Sequence, residues 1–193
     1  MSEAFLSSDD FDEQAHHLYN EGRYDEALIV LRQGITLYPH AVELHIGRAY
    51  AHLAREEYAW SRRSFEHALA LDPDHEDGLA GLGETLLKLG DRDGAMRTME
   101  RILQLGFQDD HELMLQIGRA LFREGLVAPA HRFFDLAVSA LRLVEAADVQ
   151  TWLPARDPST HKWKSAVWVV AGSPGMDGAA RHRPGGVPRH QQQ

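Results

Sequence analysis

A unit of about 34 residues recurs four times along this chain of 193, and that period leaves few folds open to it. Pro39 and Pro73 stand 34 positions apart, each closing a stretch of the same helical pattern, IVLRQGITLYP at 29–39 and SFEHALALDP at 64–73. A third copy, LAGLGETLLKLGDRDGAM at 79–96, and a fourth, MLQIGRALFREGLVAPAHRFFDLA at 114–137, keep the same order of small and large residues. Periods of this length mean stacked helical hairpins. A Gly or Ala at one recurring site lets two helices approach, and the large residue three positions later fills the groove beside it. One hairpin cannot bury its apolar stripe alone, so its neighbours supply the missing face. Gly22, Gly90 and Gly125 lie where a left-handed residue commonly ends a first helix. Pro39 and Pro73 end second helices because proline cannot continue them. Eight helices are expected, near 9–21, 25–37, 42–54, 58–71, 76–89, 92–105, 111–124 and 127–143.

The residues that carry the pattern can be set out copy by copy. The third has Leu79, Leu82, Gly83, Leu86, Gly90 and Ala95; the first has Phe11, Ala15, Leu18, Gly22, Tyr24, Ala27, Leu31, Gly34 and Pro39. In the fourth, Met114, Ile117, Gly118, Leu121, Gly125, Ala130, Phe134 and Ala137 fall in place if the preceding loop is one residue longer. The second departs most: Phe65, Ala68 and Pro73 fit, but Ser61 replaces an Ala and Gly47 sits two residues early, so its first helix reads in two registers. In these positions the chain resembles the tetratricopeptide repeat family over roughly 8–144. The resemblance implies an all-α, right-handed superhelical solenoid of about four hairpins, with a C-terminal capping segment and a disordered tail. Its divisions fall at 1–7 for a flexible N-terminus and at 8–41, 42–75, 76–110 and 111–144 for the repeats. A capping helix or extended segment takes 145–172, and a disordered basic tail takes 173–193.

Composition supports that division. Residues 1–155 carry 14 basic and 27 acidic side chains, whereas 156–193 carry 6 and 2. An acidic body disfavours nucleic acid, whose binding depends on a Lys/Arg surface. The last 20 residues, rich in Gly, Pro, His and Arg, cannot bury enough to fold. Before them VEAADVQTWL at 144–153 is expected to extend the last helix or add a capping one, and Trp163 precedes a strand-like KSAVWVV that contains Trp168. The absence of cysteine excludes disulfides and thiolate metal sites. MSEAFLSSDDFDE lacks a basic segment and an apolar run, which argues against a signal peptide; AVWVVAG is far too short for a membrane span. A cytoplasmic location without membrane insertion is the expectation.

Candidate chemistry is thin. The twelve histidines include the neighbours His16 and His17 and the pair His45 and His52, but no HExxH motif, so no metal or cofactor is expected. Asp9 and Asp10, Glu56 and Glu57, and Asp109 and Asp110 lie at expected helix starts or turns, where they favour the helix dipole. No phosphate-cradling glycine loop or nucleophile elbow occurs, and the chain is read as no enzyme.

Binding is the stronger reading. The resemblance implies a concave groove lined by the first helix of each pair. Its residues are Asp12, His16, Tyr19 and Asn20 from the first repeat; Ile46, Tyr50 and Leu53 from the second; Glu84, Leu87 and Lys88 from the third; and Leu115, Arg119, Phe122 and Arg123 from the fourth. One end is acidic and the other basic, and Tyr50 and Arg119 stand out as anchors because aromatics and arginine dominate interface energetics. A protein or peptide partner, held as an extended peptide or a helix, is the leading expectation. Asp12 and His16 occupy the place where one variant of the family, a co-chaperone clamp for C-terminal carboxylates, needs basic side chains; that variant is rejected. Two alternatives remain: a secretion chaperone resembling those of type III translocators, and a self-assembling structural unit forming a homo-oligomer.

Overall fold

A computed structural model describes residues 6–150, with side chains to residue 142. The N-terminal residues 1–5, the expected capping segment from 151 on and the tail at 173–193 lie outside the described residues.

Among the described residues, eight α-helices pair into four hairpins: α1 (Ser8–Asn20) with α2 (Tyr24–Leu37), α3 (Val42–Ala54) with α4 (Tyr58–Leu71), α5 (Glu76–Lys88) with α6 (Arg92–Gln104), and α7 (His111–Arg123) with α8 (Val127–Gln150). Residues 144–150 therefore prolong α8 and do not begin a separate helix. Their starts are written in the sequence. Ser7 and Asp10 form a reciprocal capping box on α1, while Asp91 and Asp110 accept from backbone N–H groups at the starts of α6 and α7. Asp110 thus takes the role that its position before a helix implies.

The turn inside each hairpin uses one left-handed residue. Gly22, Gly90 and Gly125 supply it in three hairpins, with φ of 75°, 83° and 76°, and Glu56 supplies it in the second at φ 60°. A residue with a Cβ is strained there, by about 1–2 kcal/mol. Glu56→Gly is therefore expected to stabilise the protein by about 1 kcal/mol, read as a higher midpoint in urea unfolding with unchanged slope.

Two apolar cores run along the stack. One joins Phe11, Leu31, Leu44, Ile46, Tyr50 and Phe65; the other joins Leu79, Met99, Ile102, Met114, Ile117 and Phe133. Leu82 on α5 packs against both. Where they meet, the Ser61 and Thr85 hydroxyls hydrogen-bond each other at 3.0 Å, and Thr85 also donates to the Gly81 carbonyl at 2.8 Å. Ser61 departs from the repeat pattern, and the contact with Thr85 is what satisfies its buried hydroxyl. The second hairpin takes the register in which Ala49, not Gly47, stands 34 residues after Ala15 and 34 before Gly83; Ala49 is buried beside the first core.

The extra residue before the fourth hairpin has a structural counterpart. Gly106 turns left-handed, and a single 3-10 turn at Phe107–Asp109 packs against α6, α7 and α8. Phe107 is half-buried against the second core there.

Candidate functional site

Curvature follows from which helices touch. The first helices contact one another in series, α1 with α3, α3 with α5 and α5 with α7. Among the described residues, successive second helices make no comparable contact. Helices drawn closer on one side bend the stack toward that side, so α1, α3, α5 and α7 line its concave face. Gln116 of α7 reaches across α5 to the Tyr50 hydroxyl at 3.1 Å, which ties the row together.

The sequence places eleven residues on that face as contacts for a partner, and the structure divides them. Asn20, Lys88, Arg119, Phe122 and Arg123 are exposed, and His16 is half-buried. Tyr19, Tyr50, Leu53, Glu84 and Leu87 are buried, so an accessible role for them is corrected to a packing role. For Tyr50 the reason is visible in its contacts. Its hydroxyl donates to the Asp77 carbonyl at 3.2 Å and accepts from Gln116, while its ring meets the Phe65 ring edge-on at 5.0 Å between centroids. Tyr19 packs its ring against Tyr24 at 5.2 Å. Glu84 takes a hydrogen bond from Arg123 at 3.1 Å; burial raises its pKa, and Arg123 and Lys88 pull it back. Lys88 in turn pairs with Glu124 at 2.7 Å. Of the sequence-named groove residues beyond these eleven, Ile46 is buried, while Asp12 and Leu115 are half-buried.

Carboxylates crowd the other rim. Burial raises the Asp12 pKa from its usual 3.8 to about 7, with Glu43 and Asp9 adding to the effect, and its Oδ1 is buried without a hydrogen-bond partner. Asp77 is raised to about 6, by burial first; His75 opposes this, while Glu76, Glu43 and Asp110 add to it. The sequence alone read the acids at helix starts as dipole partners, and it missed that Glu43, Asp77 and Asp110 gather from the starts of α3, α5 and α7. His75 Nε2 donates to the Glu43 carboxylate at 3.0 Å inside this group. A carboxyl with a raised folded pKa prefers its protonated form in the fold. The stability it contributes is complete below about 3.8 and is lost as pH climbs through about 7 for Asp12 and about 6 for Asp77. Asp12→Asn is thus expected to add about 2 kcal/mol at pH 8 and to flatten the decline between pH 4 and 7, measured by urea unfolding at several pH values.

The histidines are held locally. His45 bonds the Pro39 carbonyl at 2.8 Å and His52 bonds Glu57 at 2.7 Å, so the pair seven residues apart serves two separate contacts.

Two sequence models described as Tetratricopeptide repeat match residues 13–76 and 61–111, which together span just over half of the chain. The chain belongs to the tetratricopeptide repeat family. Among curated relatives, the Protein CTR9 homolog of Arabidopsis thaliana is 33% identical over 94 residues, covering 47% of this chain and 8% of that protein. The chain thus spans less than a tenth of that relative's length. Among solved structures, MamA superposes with a TM-score of 0.57 at 18% identity, covering 75% of this chain and 81% of that one. The second tetratricopeptide repeat domain of Spaghetti (RPAP3), bound to the HSP90 peptide SRMEEVD, superposes with a TM-score of 0.50 at 23% identity, covering 52% and 93%. These likenesses confirm the tetratricopeptide solenoid. Among the described residues, no helix is long and apolar enough to cross a membrane.

Proposed function

We propose that this chain is a non-catalytic interaction adaptor that takes an extended peptide or a helix of a partner protein along the face of α1, α3, α5 and α7. The observation that carries the reading is the unbroken row of first helices, held in register by the Gln116 to Tyr50 hydrogen bond across α5. Tetratricopeptide repeats serve as interaction modules, which accords with a face whose buried residues all serve packing. Opposite charge at its two ends sets a direction: the exposed Asp9 stands at the first repeat, Arg119 and Arg123 at the fourth. A segment with its basic end toward α1 and its acidic end toward α7 fits that polarity.

Arg119 is the decisive test residue, because it is exposed and its loss leaves the packing intact. Peptides selected from a displayed random library on the immobilised protein are expected to lose at least tenfold in affinity for Arg119→Glu, about 1.4 kcal/mol, by titration calorimetry. Arg97→Glu, at an exposed position of α6, is expected to leave them unchanged. No enrichment, or equal loss in both variants, would overturn the reading.

The RPAP3 domain was solved with the acidic HSP90 peptide SRMEEVD, so that peptide is the natural comparison. Asp12 and His16 stand where a carboxylate clamp needs positive charge, and the expected dissociation constant for SRMEEVD is weaker than micromolar. A submicromolar value would return this chain to the clamp class. The secretion-chaperone reading rests on size, acidity and repeat count and draws nothing from the geometry of this face.

A further inference from the structure

Each hairpin in such a stack relies on the next to finish covering it. The repeat spacing identifies which side chains receive that cover. Tyr19, Leu53 and Leu87, 34 residues apart, are 0%, 5% and 4% exposed. Their counterpart in the fourth hairpin, displaced one position by the longer loop, is Phe122, and it is 55% exposed. The second helices repeat the contrast. Ile35, Leu69 and Leu103 are partly buried against the two cores, and a methyl placed on Gly78 at the start of α5 would stand 3.0 Å from Leu69. Val138, their counterpart on α8, is 48% exposed, and Leu141 one turn on is 39% exposed. The opposite end of the stack is finished differently: the exposed residues of α1 are Asp9, Asp10, Glu13, Gln14, His17 and Asn20, none of them apolar. By sequence, the fourth hairpin is built as an interior layer.

We propose that this chain's own segment within 151–172 supplies the missing layer, with the apolar run between Trp163 and Val170 seated on Phe122, Val138 and Leu141. The face continues the interface that joins each hairpin to the next, and in every earlier case the covering residues are those that follow directly in sequence. Because α8 runs on to Gln150, the cover begins after it. Forty-three residues follow, whereas α3, α5 and α7 each need 13, a helix about 20 Å long. Those residues include Trp152, Leu153, Trp163, Val167, Trp168, Val169 and Val170, enough apolar surface to exclude water from the face.

Tryptophan emission tests the proposal in the full-length chain. Trp60→Phe with Trp152→Phe leaves Trp163 and Trp168 as the only reporters. Their emission is expected at the short wavelengths of an apolar setting, in a species whose mass is one chain at all concentrations. Adding Val138→Asp should move the emission to that of water-exposed tryptophan and lower the melting temperature by about 4 °C, with helical content retained. Leu141→Asp, equally placed on the surface, should do the same. Water-like emission before any charge is introduced would overturn the proposal. So would emission that ignores both charges, or a short-wavelength signal that appears only as the mass doubles, which would give the face to a second copy.

Discussion

Tyr50→Ala is expected to cost about 4 kcal/mol of stability, enough to leave the array substantially unfolded at moderate temperature. Loss of a fully buried aromatic ring costs about 3–5 kcal/mol through lost transfer energy and the cavity left behind. Tyr50 meets Phe65 edge-on and bridges α3 to the Asp77 carbonyl and to Gln116. Its truncation therefore removes a wedge and strands an amide as well. Tyr50→Phe keeps the ring and is expected to lose about 1 kcal/mol, the worth of the hydroxyl's hydrogen bonds. Urea unfolding followed by circular dichroism separates the two. A Tyr50→Ala protein as stable as the parent would show that this side chain is a surface anchor after all.

The second large effect belongs to a glycine. A Cβ on Gly81 would stand 2.1 Å from Cζ of the buried Phe65 ring and 2.4 Å from Cε1, a separation that real side chains do not tolerate. Phe65 is wholly buried, so the ring has little room to retreat. Gly81→Leu is expected to cost about 3 kcal/mol or more, the upper range for overpacking. Gly83, the glycine that the repeat pattern singles out, is more forgiving. Its Cβ would meet Met99 at 3.0 Å, and a thioether chain bends aside more readily than a ring. Gly83→Ala is accordingly expected to cost less than Gly81→Ala under the same assay.

That ordering shows where sequence reading stops. Period, prolines and turn glycines carry the fold, because each acts through the chain's local geometry and recurs in every copy. The helix starts at 42, 58, 76, 92, 111 and 127 are legible for the same reason. Gly81 is not, because its role depends on the Phe65 ring arriving from α4 of the preceding hairpin. The site suffers likewise. Placement of Tyr50 on the inner helices follows from spacing, but its burial depends on Gln116, 66 residues away. The carboxylates of Glu43, Asp77 and Asp110 each look like ordinary helix-start residues, and only stacking brings Glu43 and Asp110 close enough to Asp77 to add to the rise in its proton affinity. Charge at the exposed end, Arg119 and Arg123, is legible because the surface leaves a side chain where its position on the helix puts it.

The meeting of the two apolar cores at Leu82 bears on how the molecule will breathe. Leu82, the Ser61 and Thr85 hydroxyls and the Tyr50 bonds to Asp77 and Gln116 cross the seam; where these give way first the halves open separately, and amide exchange should report two protection plateaus in place of one. A partner lying along α1, α3, α5 and α7 would cross that seam. Its arrival would weld the halves into a single opening unit, so recognition would register as a merging of exchange rates at amides far from any contact.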